Sequence, residues 1–459
     1  MIRIRKSYII CTALISIIVA CSKYDAGYSS VNDELLSGGQ QTVFDEGSNS
    51  FGHAFPVLPE NLERVHEIGD VQFGATFVSS PAPLNPGRGP LFNNVSCASC
   101  HIADGRGKVP GIGDTSVSTL FRVSIPGTDA HGGPLGVPGF GDQLQTRAIF
   151  NVIREADVSV TYTEQSSAFD DGTPYSLRVP AYNIYNTYIS LPASVMVSPR
   201  VAAPVFGLGL LEAIAEADIL KNADENDADG DGISGRANYV WNVEYNRSSM
   251  GRFGWKANQP SVFQQVAAAY NNDIGITNSL FPIENSFGQP QYDHLNDDIE
   301  LSDSLLHATT FYIRTLAVPA RRNVTNATVK QGKQLFMSAG CYKCHQPDFR
   351  TAVDVSFPAI SNQLIHPYTD LLLHDMGDGL ADNRPDFLAN GREWRTAPLW
   401  GIGLTQRVNG HNNFLHDGRA RSLMEAIMWH GGEALAARNY VKALSATERN
   451  ALIRFLESL

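Results

Sequence analysis

Apolar residues recur at helical spacing in several stretches of the chain. Leu208, Leu210, Leu211, Ile214 and Ile219 predict a helix over 201–222. Leu305, Leu306, Phe311 and Ile313 predict a second over 298–317, stopped near Pro319. A third is predicted over 327–339. Ser445-Ala446-Thr447-Glu448 has the pattern of a capping box and opens a final helix through Leu459. Alternating runs, Ser159-Val160-Thr161-Tyr162 and Ser176-Leu177-Arg178-Val179, predict a small β element. From 51 to 135 the chain is rich in Gly and Pro, and Pro81, Pro83, Pro86 and Pro90 cannot sit inside a helix, so the chain that leads to Cys97 is expected to be loop rather than a long helix. The pattern predicts a mainly α protein with loop-rich insertions and minor β structure.

The third predicted helix runs directly into Cys341-Tyr342-Lys343-Cys344-His345. The same form occurs earlier as Cys97-Ala98-Ser99-Cys100-His101. A Cys-x-x-Cys pair alone suits zinc or a disulfide. A His immediately after it, twice in one chain, points to two covalently attached c-type haems. Each pair of thiols adds to the vinyl groups of one porphyrin, and His101 and His345 then ligate the irons from the proximal side. A helix leading into such a motif, with a terminal helix packed on it, is the arrangement of a class I cytochrome c. The expected organisation is therefore two cytochrome c-like haem domains, 51–320 and 321–459, the first carrying an inserted loop.

That loop is Asp227-Ala228-Asp229-Gly230-Asp231-Gly232. Asp227, Asp229 and Asp231 sit at the spacing at which oxygen ligands converge on calcium. Position 12 is Asn238 rather than Glu, so a complete EF-hand is not indicated. An acidic turn is the alternative.

At the N-terminus, Arg3, Arg5 and Lys6 precede an apolar run from Tyr8 to Val19, too short to span a membrane comfortably. Ile18-Val19-Ala20-Cys21 has the form of a lipobox. The expectation is a lipoprotein signal peptide over 1–20, a lipid on Cys21, and a flexible Ser-, Gly- and Asp-rich tether over 21–50. The product is an exported, periplasmic or cell-surface lipoprotein held to the membrane by its anchor. Cys11 receives no structural role. The whole chain carries a formal charge of −12. Loss of three basic residues with the signal makes it more negative, which excludes nucleic acid as a partner.

These motifs resemble the bacterial di-haem cytochrome c peroxidase and MauG superfamily, and within it the di-haem oxidoreductases labelled thiol oxidoreductases. The resemblance rests on Gly89-Pro90-Leu91-Phe92-Asn93 before the first haem motif, Asp104-Gly105-Arg106-Gly107 after it, and Gly207-Leu208-Gly209-Leu210-Leu211-Glu212-Ala213-Ile214. It continues through Gly251-Arg252-Phe253-Gly254-Trp255-Lys256, Arg395-Thr396-Ala397-Pro398-Leu399-Trp400 and Phe414-Leu415-His416-Asp417-Gly418. It covers roughly 60–459. Its thiol label has no support from these residues, because every cysteine of the mature chain is assigned to haem or lipid.

The resemblance places a distal ligand for the second haem on a short helix after His416-Asp417-Gly418. The residue at that offset is His430, where the family usually has Met; Met428 and Met424 compete. For the first haem the nearest downstream histidine is His131, as readily a loop residue as a ligand. Glu212 is the candidate acid/base group beside an open iron, or a carboxylate at a helix edge. Trp255 is either a bridge between the haems or a packed ring, and Asp104, Arg106 and Arg395 are candidates to meet propionates. The implied activity is a peroxidase-like oxidoreductase in which one haem reacts with peroxide or another small oxidant. The other relays electrons from an external donor or acceptor protein. A pure electron-transfer cytochrome, and a MauG-like or oxygenase-like enzyme acting on a protein or organic substrate, are the alternatives.

Overall fold

The computed structural model describes residues 34–112, 118–295 and 298–459. The signal peptide, Cys11 and Cys21 lie outside the described residues. In chain order the elements used below are β1 (Thr42–Val43), α1 (Glu60–Gly74), β2 (Thr119–Thr128), β3 (Asp157–Ala168), β4 (Pro174–Tyr185) and β5 (Met196–Val201). They continue with α2 (Leu208–Glu212), α3 (Val262–Ala269), α4 (Asp303–Arg314), β6 (Val318–Pro319), α5 (Ala327–Ser338), α6 (Leu423–Trp429), α7 (Leu435–Ala443) and α8 (Ala446–Ser458).

Three expectations are corrected. The protein is not mainly α: helix accounts for 28% and strand for 20%, and the strands form many small sheets. The expected tether does not extend past residue 33. Thr42–Val43 pairs in parallel with Val318–Pro319, and Phe51 is buried against Phe206 with ring centroids 4.3 Å apart. Polar composition there reflects side chains that hydrogen-bond locally, such as Thr42 Oγ1 to the Gly39 carbonyl, rather than a solvated coil. The helix predicted over 201–222 is also broken. Val201 closes β5, and only Leu208–Glu212 and Glu216–Leu220 are helical. Gly207, at φ 72°, turns the chain between β5 and the first of these helices. By contrast α4, α5 and the Ser445–Glu448 capping box stand where the pattern put them.

The helices that do form are arranged twice in the same way, once behind each haem motif. In α1, a Cβ on Gly69 would lie 2.1 Å from the Ala308 carbonyl oxygen and 2.6 Å from Tyr312 Cβ of α4. In α5, a Cβ on Gly332 would lie 2.0 Å from the Ala451 oxygen and 2.7 Å from Phe455 Cβ of α8. Four residues after each glycine, one turn on, a phenylalanine reaches both the crossing partner and the motif histidine. Phe73 lies 5.3 Å from Tyr312 and 6.2 Å from His101; Phe336 lies 5.2 Å from Phe455 and 6.4 Å from His345. A Gly-x-Gly turn completes each cradle. Gly207 N donates to the Leu316 oxygen and Gly401 N to the Leu459 oxygen. Gly209 and Gly403 each approach the closing helix so that a Cβ would sit 2.1 Å from a carbonyl, that of Arg314 or Glu457. The halves share almost no sequence beyond these positions, because only the contact points are constrained.

β3 and β4 form a long two-stranded hairpin that would be marginal by itself. Its tip is clasped by α8: Phe169 is buried under the Arg449 guanidinium at 3.9 Å, and Arg449 pairs with Asp171 at 2.8 Å. Its flank holds α6, where Glu425 accepts from Arg178 N (2.6 Å) and from Arg421.

Alanine normally stabilises a helix relative to glycine. Gly332→Ala is expected to do the reverse, lowering stability by about 1–3 kcal/mol through overpacking of the α5–α8 crossing. Urea denaturation checks this, and an unchanged or raised midpoint would contradict the crossing.

Candidate functional site

A large, mostly apolar cavity opens in front of the second haem motif. Cys341, Cys344 and His345 line it together with His430, Ile427, Leu452 and Leu456. Helix α5 ends at Ser338, and Gly340, at φ 79°, swings the chain into the motif. His345 Nδ1 donates to the Tyr368 carbonyl at 3.0 Å, and His430 Nδ1 to the Ala426 carbonyl at 2.7 Å. A carbonyl only accepts, so both rings carry the proton on Nδ1 and keep the Nε2 lone pair. Burial pushes both pKa values down, His345 to about 4, so neither nitrogen is blocked by a proton near neutrality. Met428 is buried in the core beneath α8, and Met424 lines a separate groove against the hairpin; neither lines this cavity.

Two arginines in the cavity wall lack an acidic partner. Arg106 Nη1 donates to the Leu415 carbonyl, and Arg395 donates to the Gly254 and Thr396 carbonyls. Among the described residues neither has a carboxylate within ion-pair distance. Burial pushes each down to about 10. Arg106 is buried and Arg395 half-buried, and a guanidinium so placed without a carboxylate at ion-pair distance is costly unless an anion meets it. Two such groups on the rim of a cavity flanked by a Cys-x-x-Cys-His motif fit the propionates of a haem. Asp104 belongs elsewhere. Tyr312 donates to its Oδ1 at 2.7 Å, and burial raises its pKa to about 6.

At the first motif, His101 Nδ1 donates to the Ala203 carbonyl at 2.7 Å, so Nε2 is again available. None of the four motif cysteines is in a disulfide. Burial pushes the Cys97, Cys100 and Cys341 thiols up to about 12 and raises that of Cys344.

Other expected residues fall differently. His131 is exposed on a turn, its ring stacked on Trp241 at 4.0 Å rather than on the first motif. Both oxygens of Glu212 are occupied, by Arg314 and by Val262 N at the start of α3, so it clamps helices together. Trp255 does line the second cavity, with Arg106 5.3 Å from its ring and its indole N–H given to the Val201 carbonyl. Asp227, Asp229 and Asp231 bring ligand oxygens within 4.8 Å of one another. Asp231 also pairs with Lys343 of the second motif at 3.1 Å. Asn238 instead donates to the Lys256 and Asp386 carbonyls.

Sequence reasoning missed two groups. His374 bridges Asp370 (2.8 Å) and Glu433 (2.7 Å) beside Cys344; burial opposes its charge, but Cys344 and Asp370 outweigh this and raise its pKa. His416 lines the cavity, stacked on Trp394 at 3.7 Å and 11°. Only the spacing of His416 within His416-Asp417-Gly418 hinted at it.

The family profile described as "Di-haem oxidoreductase, putative peroxidase" matches residues 31–459. The chain belongs to the di-haem oxidoreductases. Haem is therefore the cofactor class of this oxidoreductase, in keeping with the cavity and its unpaired arginines. No curated protein matches this di-haem oxidoreductase. It is similar to a chain of Kuenenia stuttgartiensis hydrazine synthase, solved pressurised with 20 bar xenon. The two are 13% identical, over 88% of this chain and 93% of that chain, with a TM-score of 0.36.

Burial pushes His416 down to about 4, against an ordinary 6.5. The unfolded chain therefore binds the extra proton between these values. The stability that neutral His416 contributes is complete above pH 6.5 and falls as pH drops toward 4. His416→Gln should flatten this loss by roughly 2 kcal/mol between pH 7 and 4.5. Denaturation midpoints at both pH values check it; equal pH dependence in both proteins would contradict it.

Proposed function

We propose that this di-haem oxidoreductase carries two covalently attached c-type haems and reduces peroxide with electrons from an external protein donor. The observation that carries the reading is the pair His345 and His430, offering imidazole nitrogens to the same cavity. His345 and His430 would together hold the second haem and leave no place there for an oxidant, which suits that site to electron relay. The first haem is then the one that meets peroxide. Bound haem supplies a place for the oxidant and a store for electrons. Reduction of one peroxide to two waters takes two electrons and two protons.

The polypeptide's part is positioning. His101 and His345 are fixed by the Ala203 and Tyr368 carbonyls. Arg106 and Arg395 meet propionates. The Glu425–hairpin contacts hold α6, which delivers His430. The Arg106 cation over Trp255 lies between the first motif's downstream segment and the second cavity, supporting Trp255 as a wall of the path between haems. The Asp227–Asp231 loop binds calcium in this reading. An occupied site would compete with Lys343 for Asp231 and so weaken the ion pair that ties the loop to the second motif. The exported lipoprotein with Cys21 as its anchor completes the proposal. Among the described residues no helix is long and apolar enough to cross a membrane.

Three proteins test it: the parent chain, Cys97→Ala/Cys100→Ala and Cys341→Ala/Cys344→Ala, expressed with the c-type haem assembly machinery. The expected denaturation-resistant haem content is two, one and one per chain. The reduced parent should consume one peroxide per two electrons, and loss of the first motif should abolish this. Zinc in place of haem, or unimpaired turnover without the first motif, would refute the reading.

A further inference from the structure

The duplicated cradle lets the first half be read against the second. In the second half, α6 opens on Ser422, whose side chain accepts from Glu425 N, and closes on His430. In the first half, α3 opens on Ser261, whose side chain accepts from Gln264 N, and reaches Tyr270, one residue further along, where a π-helical turn, Tyr270–Ile274, takes over. Both helices lie between a Gly-x-Gly turn and the closing helix of their half, and each packs on that closing helix.

The surroundings agree. Leu452 follows Ala451, the residue at the Gly332 crossing, and lines the cavity with His430. Its counterpart is Thr309, which follows Ala308 at the Gly69 crossing. The Tyr270 hydroxyl lies 2.9 Å from Thr309 Oγ1. Either hydroxyl can donate in this bond: Thr309 can turn its O–H from the Leu305 carbonyl to Tyr270, which frees the phenol O–H for another acceptor. The phenol is also close enough to Cys97 and to the Gln72 side chain for both to act on its titration; burial is the larger effect and keeps it neutral. Gln72 Nε2 is buried with no partner among the described residues. A buried amide donor left over beside a phenol marks a place where an acceptor arrives.

We infer that Tyr270 stands over the first haem iron at the station that His430 holds over the second. The inference rests on the reading that both motifs carry haem. A neutral phenol is a poor sixth ligand compared with an imidazole, so the first iron stays open to a small oxidant. Tyr270 and Gln72 then present an O–H and an N–H to whatever anion binds there. The two cradles differ chemically because this one station differs.

The test uses the holoprotein with Tyr270→His and Tyr270→Phe, read by resonance Raman spin-state bands and by fluoride binding. Wild type should show one high-spin and one low-spin haem. In Tyr270→His the high-spin bands should disappear, the first iron acquiring a second imidazole. Tyr270→Phe should stay high-spin but bind fluoride about tenfold more weakly, through loss of a hydrogen-bond donor to an anion. Two haems per chain, with high-spin bands unchanged in Tyr270→His, would overturn the role of Tyr270 alone. Should that variant not fold, wild-type fluoride affinity in Tyr270→Phe would overturn it equally. One haem per chain in wild type would overturn the underlying reading, and the role of Tyr270 with it.

Discussion

Backbone-to-backbone contact at two helix crossings organises this protein. Gly69 and Gly332 let α1 meet α4 and α5 meet α8 at distances that no Cβ would permit. The close approach lets Phe73 and Phe336 reach across to the partner helix and to the motif histidine at once. The same closing helices receive the Gly-x-Gly turns. Each haem motif is thus held by three segments far apart in sequence, and the long insertions between them are free to differ.

The insertions make the halves unequal. In the second half the hairpin of β3 and β4, contributed by the first half of the chain, clasps α8 through Phe169 and Asp171 and steadies α6 through Glu425. The acidic loop touches the second motif through Lys343. Arg106, from just beyond the first motif, reaches into the second cavity. The second site is therefore built from both halves, a sound arrangement for a relay that must remain electronically close to its neighbour. The first motif borrows too, through Asn409 on Ile102 and His411 on Arg106, but its neighbourhood carries Tyr270 where the second carries His430.

Much of the chemistry was legible from sequence because it depends on local spacing. The two Cys-x-x-Cys-His motifs, the Ser445–Glu448 cap and the apolar faces of α4 and α5 are each decided within one or two helical turns. His430 was found by its offset from His416, and the cavity contains it. What was not legible depends on partners distant in the chain. Glu212 resembles an acid in an apolar stretch until Arg314 and Val262 N take its oxygens. His131 resembles a spare ligand until Trp241 covers its ring. Residues 34–50 resemble a tether until β6 pairs with β1. The strand content was underestimated because most strands are short and pair with distant segments, leaving little alternation to read. The duplication was hidden because glycines and one aromatic per helix carry it.

The account stands on the two irons being chemically unlike, one closed by two imidazoles and one open. Low-temperature EPR of the diferric holoprotein, with both signals quantified against haem content, measures this directly. One low-spin and one high-spin haem in equal amounts is the predicted result, the high-spin signal being the one that disappears on adding peroxide. Two low-spin haems indifferent to peroxide would contradict it and leave an electron carrier in place of a peroxidase.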